Sequence, residues 1–410
     1  MMRPLITSFF LLLLTSLYAK EIQLCKSCKV KTLSEAVSSA SPHDIIRVKK
    51  GIYPTVGVEI TKPLSLIGEE GAVLDAEGGA EIITIHSDSV EISGLTLRNV
   101  ATSYIKDWAA ISTDRVKYCK IQNNKIENSF FGVYFRKSSN CEISNNVIIG
   151  EAVKEMSSGN AIQLWYCDSM LIENNIVRKH RDGIYFEFVK NSIIRDNYSE
   201  GNVRYGLHFM FSDRNRYLAN TFENNGSGVA VMYGKEIEMD NNTFINNWGP
   251  ASFGLLLKEI TDGKITSNKF KKNTTGIFGE GASRMIIKNN RFESNGWAMK
   301  VLSSCVDNVV SDNDFVSNSF SVFTNSPRNY NEFKRNYWSE YNGYDLDHDG
   351  FGDIPHRPVS LFTYIVEQCE PTLLLMRSNF IGLLELAEKA APSLTPENLV
   401  DKQPRMKPLW

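Results

Sequence analysis

Ten asparagines recur along the chain at a nearly constant interval. They are Asn124, Asn146, Asn175, Asn197, Asn220, Asn242, Asn268, Asn290, Asn313 and Asn336. Each is the fourth residue of a hexad such as IQNNKI, ISNNVI, IENNIV or IKNNRF, and most intervals are 22 or 23 residues. A second asparagine follows five positions later in six consecutive repeats: Asn202, Asn225, Asn247, Asn273, Asn295 and Asn318. A period of this length means one supersecondary unit stacked many times. Between the hexads lie short runs such as GVYF, GIYF, GLHF and GLLL, which have the period of strands rather than helices. The leucine pattern of a leucine-rich repeat is absent. The expected fold is therefore all-β: a right-handed parallel β-helix of coils about 22 residues long, stacked about 4.8 Å apart. Asparagine suits its corners because it tolerates left-handed backbone angles, and stacked amides can bond to one another. Thr32 and Glu35 have capping-box spacing and predict a short helix over the entrance to the solenoid.

The repeat assigns faces. Residues one and three places after the opening glycine (Ile184 and Phe186, Leu207 and Phe209, Val229 and Val231, Leu255 and Leu257) are apolar and face the core. The alternate residues then form two outward columns. One runs Gln163, Tyr185, His208, Ala230, Leu256; the other runs Trp165, Glu187, Met210, Met232, Lys258. This stacks Met210 on Met232, with His208 beside them on the same face. Two thioethers and an imidazole make a soft donor set, which selects Cu(I) over magnesium or calcium. Two blander readings compete: an apolar patch around Trp165, Tyr185 and Leu256 that docks a partner protein, or packing beneath corner loops. Extra residues enter only at 100–109, 151–160 and 248–252, all at one corner before the same strand column, where binding tends to reside.

Downstream, NYWSEYNGYDLDHDGFGDIPHRP carries Asp345, Asp347, Asp349 and Gly350 in the order that opens a calcium loop, with Asp353 at its ninth position. The glutamate usual at position twelve is replaced by His356, so the loop is incomplete or borrows a ligand; its structural alternative is a solvated acidic turn. From residue 370 the spacing becomes helical, and Met376, Phe380 and Leu384 are candidates for docking a partner. The closing PSLTPENLVDKQPRMKPLW has no period and reads as extended. The expected organisation is an export signal at 1–19, a capped β-helix at 20–340, an acidic calcium-loop-like segment at 341–369, and a helix with extended tail at 370–410.

The export signal rests on Arg3, the apolar run ITSFFLLLLTSLY and the small Ala19, with an uncleaved anchor as its alternative. Of 410 residues, 45 are basic and 47 acidic, so net charge supplies no drive toward nucleic acid. Seven cysteines leave at least one unpaired within the chain. Cys25 and Cys28 form a terminal CxxC, read as a staple or a thiol metal site. Cys119 and Cys141 lie one repeat apart, as a stack or a disulfide.

The longer blocks YGLHFMFSDRNRY, NGSGVAVMYGKEIEM, NNWGPASFGLLLKEI, NYWSEYNGYDLDHDGFGDIPHRPVSLF and MRSNFIGLLELAEKAAPSLTPENLVDKQPRMKP resemble the NosD family of periplasmic maturation proteins of nitrous oxide reductase, over nearly the whole mature chain. The resemblance implies a non-catalytic partner of an ABC transporter made of a permease and an ATPase. It also implies exchange with a membrane-anchored copper chaperone and delivery of copper, with sulfur as a second cargo, to nitrous oxide reductase. It does not assign copper to His208, Met210 and Met232. The competing class is a carbohydrate-active or carbohydrate-binding β-helix acting on uronate polysaccharides. Such catalysis needs paired carboxylates or a carboxylate with a strong base on the exposed face. Asp182, Glu187 and Asp213 are the candidates, and only Glu187 falls in an outward column.

Overall fold

The computed structural model describes residues 19–103, 105–325, 329–375, 378–390 and 399–410. Three sheets wind around one core. The first has 14 strands, from Glu21–Leu24 to Tyr330–Lys334; the second has 13, from Gly51–Pro54 to Tyr337–Trp338; the third has 12, from Val58–Ile60 to Phe320–Phe323. Each strand pairs in parallel with its counterpart one coil away, as Ile121 with Ile143 and Ile126 with Ile148. This is the expected parallel β-solenoid. The entrance helix spans Leu33–Ser39, with Thr32 and Glu35 closing the capping box.

The hexad turns the chain from the first sheet into the second, and its two central residues divide the work. The third residue takes the left-handed backbone: Asn123, Asn145, Asn174, Asn241 and Asn289 have φ between +54° and +56°. The fourth, the repeating asparagine, is buried and stacks on its counterpart. Asn220 shows the pattern: its backbone N and its Nδ2 both donate to Asn242 Oδ1, at 2.9 and 3.0 Å, and Nδ2 also donates to the Ile194 carbonyl at 2.9 Å. Left-handed tolerance therefore explains the residue before the ladder, while hydrogen-bond satisfaction explains the ladder itself. The second series, Asn202 to Asn318, stacks in the same way. Inside the second sheet, Phe222, Phe244, Phe270, Phe292, Phe315 and Trp338 form one column of stacked rings.

The C-terminal region departs from expectation. A helix already forms at Leu361–Gln368, ahead of the boundary drawn at 370, and a second spans Asn379–Ala390. The last residues are not merely extended. Asp401 bridges to Phe333 and Arg405 to Tyr337, both in parallel, so the tail adds a partial coil over the exit. The expected signal lies, but for its final residue, outside the described residues. Among the described residues no helix is long and apolar enough to cross a membrane.

Cys25 and Cys28 form a disulfide; Cys119, Cys141, Cys167 and Cys305 are buried free thiols, and Cys369 is exposed and free. Cys119 and Cys141 are thus a stack rather than a disulfide. Burial pushes the Cys167 thiol up to about 12, which marks it as core packing rather than a thiolate ligand.

Candidate functional site

The third sheet carries the predicted columns in register. Tyr185, His208, Ala230 and Leu256 are successive partners, as are Glu187, Met210, Met232 and Lys258. Core-facing Leu207, Phe209, Val229 and Val231 are fully buried, so the inside and outside faces fall as the alternation requires. The expected stacking of Met210 on Met232 is present, and both are half-buried.

His208 is on the outward side but is not open: its residue is 5% exposed. Tyr185 covers it edge-on at 5.0 Å between ring centroids, and Tyr205 lies at 4.8 Å. The Tyr185 hydroxyl also meets the Met210 sulfur at 3.9 Å, linking imidazole and thioether through one ring. His208 Nδ1 lies 3.2 Å from Arg204 Nη2 and 3.6 Å from Asp182 Oδ2. Nε2 is buried with no hydrogen-bond partner. A buried nitrogen without a protein partner, on the sheet face that also carries Met210 and Met232 in register, has the chemistry that suits a soft cation such as Cu(I). Such a donor set would take its one nitrogen from His208 and its sulfurs from Met210 and Met232.

Asp182 and Arg204 are the residues that strand alternation failed to bring to this site. Asp182 is fully buried; Arg204 grips it with Nε on Oδ1 at 2.9 Å and Nη2 on Oδ2 at 2.5 Å. The Tyr205 backbone N adds a further bond to Oδ1. Burial alone would raise the Asp182 carboxyl, but Arg204 and His208 outweigh it and hold it below the usual carboxylate range. Arg204 also reaches Glu155, in the inserted corner loop, at 3.1 Å. The available signal was Asp182 and Tyr205 in register immediately before the glycines of two adjacent coils.

Bordering the methionines, Tyr166, Phe188, Phe211 and Tyr233 stack ring on ring at 4.4, 5.2 and 5.1 Å. All four have φ between +51° and +57°, a conformation costing roughly 1–2 kcal/mol per residue for ordinary side chains. Their faces cover one another, so the ring edges meet solvent; Tyr166, Phe211 and Tyr233 are 49%, 40% and 41% exposed. This stripe was legible as the residue after each member of the Trp165–Met232 column.

The expected docking residues fare unevenly. Trp165 and Tyr185 are half-buried. Leu256 is 7% exposed and offers almost no contact area. Phe380 is half-exposed, with Leu383 and Leu386 also open, whereas Leu384 packs inward beside Phe320, Phe362 and Val366. Met376 lies outside the described residues.

The acidic loop assembles in part. Oxygens of Asp345, Asp347 and Asp349 lie within 4.8 Å of one another, and Gly350 turns the loop at φ +91°. Asp353 does not join that cluster; its Oδ2 accepts from the Leu346 backbone at 2.7 Å. His356, at the twelfth position, packs against Trp338 and Tyr341, so it supplies no carboxylate. Three carboxylates on a sharp turn remain compatible with a hard cation, but with a shorter ligand set than a complete loop.

A family model described as periplasmic copper-binding protein (NosD) matches residues 148–343, and one described as a protein of unknown function (DUF1565) matches 60–202. The chain is 28% identical over 368 residues to a probable ABC transporter binding protein NosD of Stutzerimonas stutzeri, covering 85% of this chain and 84% of that one. It is 28% identical over 367 residues to the protein of the same name from Pseudomonas aeruginosa, covering 85% of each. Among solved structures it is similar to the A-module of a mannuronan C-5 epimerase, AlgE6, of Azotobacter vinelandii. That match has a TM-score of 0.52 at 13% identity over 74% of this chain and 86% of that one, a likeness of fold alone. The copper-binding family model spans the coils that carry His208, Met210 and Met232, and both relatives are matched across most of their length, so the chain is similar to NosD proteins over most of its own length.

Proposed function

We propose that this protein is the periplasmic binding component of a copper-supplying ABC transporter, and that it seats Cu(I) at His208, Met210 and Met232 on the way to nitrous oxide reductase. One observation carries the reading: the unpartnered Nε2 of His208 shares a sheet face with two thioethers stacked in register. The family's copper-binding description and the transporter-binding names of its relatives agree with it. A membrane-anchored chaperone delivers the ion, and the permease and its ATPase hold the protein at the membrane. The half-exposed edges of Tyr166, Phe211 and Tyr233, bordering the methionines, serve the chaperone. Phe380, Leu383 and Leu386 on the outer side of the Asn379–Ala390 helix serve the permease.

Catalysis on a uronate polymer has less support. Asp182 is enclosed and held ionised by Arg204, so it is a poor proton donor and out of reach of a polymer. Glu187 has no second carboxylate beside it in either column.

Anaerobic titration with Cu(I) against a competing chelator tests the seat. The parent is expected to bind one ion, and the combined variant Met210→Leu, Met232→Leu, His208→Phe to bind none at the same chelator concentration. Equal uptake by both would move the cargo elsewhere on the chain; uptake by neither would leave this protein a docking scaffold.

We propose a structural calcium ion for Asp345, Asp347 and Asp349. Chelation should then lower the melting temperature by a few degrees, consistent with roughly 1–3 kcal/mol of linked binding. Changing the three aspartates to asparagine should remove that sensitivity, and an unchanged melt of the parent would make the loop an ordinary acidic turn.

A further inference from the structure

Arg204 touches three groups at once, and they form a chain from the surface to the cargo imidazole. Its Nη1 meets Glu155 Oε1 at 3.1 Å, its Nε and Nη2 grip Asp182, and Nη2 also lies 3.2 Å from His208 Nδ1. A guanidinium carries donors and no acceptor, so in the last contact Arg204 donates and Nδ1 accepts. A neutral imidazole has one N–H. If Nδ1 accepts, the proton sits on Nε2, the nitrogen that is buried without a partner. A protonated Nε2 has no lone pair for a metal.

Asp182 offers the alternative. Its Oδ2 is 3.6 Å from the same Nδ1, too far for a hydrogen bond while Arg204 lies against both groups. With Arg204 withdrawn, Nδ1–H can donate to Asp182, the ring proton resides on Nδ1, and the Nε2 lone pair is free. The ring is neutral in both forms; one proton leaves Nε2 and one arrives on Nδ1, exchanged through solvent. Imidazoles that ligate metals usually donate their other N–H to a carboxylate in this way.

We infer that Arg204 is a positioning residue that holds His208 in its closed tautomer, and that the 151–160 corner loop sets this lock through Glu155. The inference rests on the copper reading given above and adds its regulation. Glu155 belongs to a single short turn of helix, Glu155–Ser157, and its side chain is 52% exposed. A partner that displaces the loop, or pairs with Glu155 itself, loosens Arg204 and opens the cargo nitrogen. Metal capture is thereby tied to docking at the corner where the chain carries its insertions.

The test reads the tautomer of His208 directly, by nitrogen-15 NMR of the metal-free protein at pH 8. It compares the parent with Arg204→Lys and Glu155→Ala. Lysine keeps the charge beside Asp182 but loses the planar fork that spans Asp182 and His208 together. The parent should show Nε2–H, and Arg204→Lys should show predominantly Nδ1–H. Cu(I) affinity by chelator competition should rise on the order of tenfold in that variant, about 1.4 kcal/mol. Glu155→Ala, which removes only a half-exposed brace, should move the tautomer ratio in the same direction and carries the test if Arg204→Lys does not fold. A parent already in the Nδ1–H form, or a tautomer ratio identical in all three proteins, overturns the inference. The NMR readout needs no copper, so the lock and the copper seat can fail separately: absence of Cu(I) binding with the expected tautomer shift sinks the seat and leaves the lock.

Discussion

Asp401→Ala is expected to loosen the exit end of the solenoid by on the order of 3 kcal/mol and to promote self-association. The reason is the way the asparagine ladder ends. An interior asparagine accepts on Oδ1 from the preceding coil and donates its Nδ2 both to a backbone carbonyl and to the next amide. At the last position there is no next amide, and only donors converge. Asp401 Oδ2 accepts from the Asn336 backbone N, Asn336 Nδ2 and Trp338 Nε1, and Oδ1 accepts from the Arg335 and Gln403 backbone N–H groups. Five donors and no acceptor call for a carboxylate rather than an amide. Alanine would strand buried donors, each costing roughly 1–3 kcal/mol, softened by water entering at the chain's end. Asn336 and Trp338, 0% and 1% exposed, would be uncovered first. The strand edges they carry could then pair with a second copy.

The measurement is urea unfolding with size-exclusion chromatography of the parent, Asp401→Ala and a chain ending at residue 398. The shortened chain should lose at least as much stability as the point variant and run as oligomers, because it also releases Leu409 and Trp410 from the Asp314 carboxylate. An Asp401→Ala protein with the parent's midpoint and elution volume would mean that the tail lies on the solenoid without closing it.

This closure was not legible in the sequence, and the reason is physical. The repeat announces itself because the same corner needs the same residue in every coil, so Asn124 through Asn336 could be aligned by eye. Asp401 performs the ladder's last step once, 65 residues after Asn336 and across two helices, and a device used once has no period. The candidate site divides in the same way. His208, Met210 and Met232 follow from strand alternation, because period two decides which face a side chain takes. Asp182 was set aside on that rule: it falls outside the two outward columns. In the structure it sits at the corner where the strand begins, and a long guanidinium from the next coil joins it to the imidazole. Alternation describes the middle of a strand, while corners are governed by individual side-chain contacts. Leu256 was misjudged for a related reason: it lies in an outward column yet is only 7% exposed, so direction alone does not decide exposure.

Acid should weaken this fold well before its carboxylates titrate. His180 and His356 are both buried, and burial pushes each down to about 4; for His180 a bond to the Gly159 backbone opposes burial without overcoming it. Both nitrogens Nε2 are enclosed without partners, so neither ring can take up a proton in place. In the unfolded chain the same rings accept protons near pH 6.5. With folded values below unfolded ones, the contribution is whole above pH 6.5 and is lost as pH falls toward 4. Each ring costs roughly 1.4 kcal/mol per pH unit within that window, about 3 kcal/mol apiece by its lower end. His180 offers a clean separation of the two. It occupies the position just before Asn202 in the second amide series, its backbone N donating to Asn202 Oδ1 at 3.0 Å. In His180→Asn the new amide can extend that series by one coil. The variant should be as stable as the parent at pH 7.5, and between pH 6.5 and 5 it should lose stability at about half the parent's rate. Urea midpoints taken across that range decide the matter, because the remaining slope then belongs to His356, wedged between Trp338 and Tyr341. Parallel slopes for parent and variant would mean that His180 takes up its proton without unfolding the coil, and that the corner beneath the 151–160 loop opens to water in the native protein.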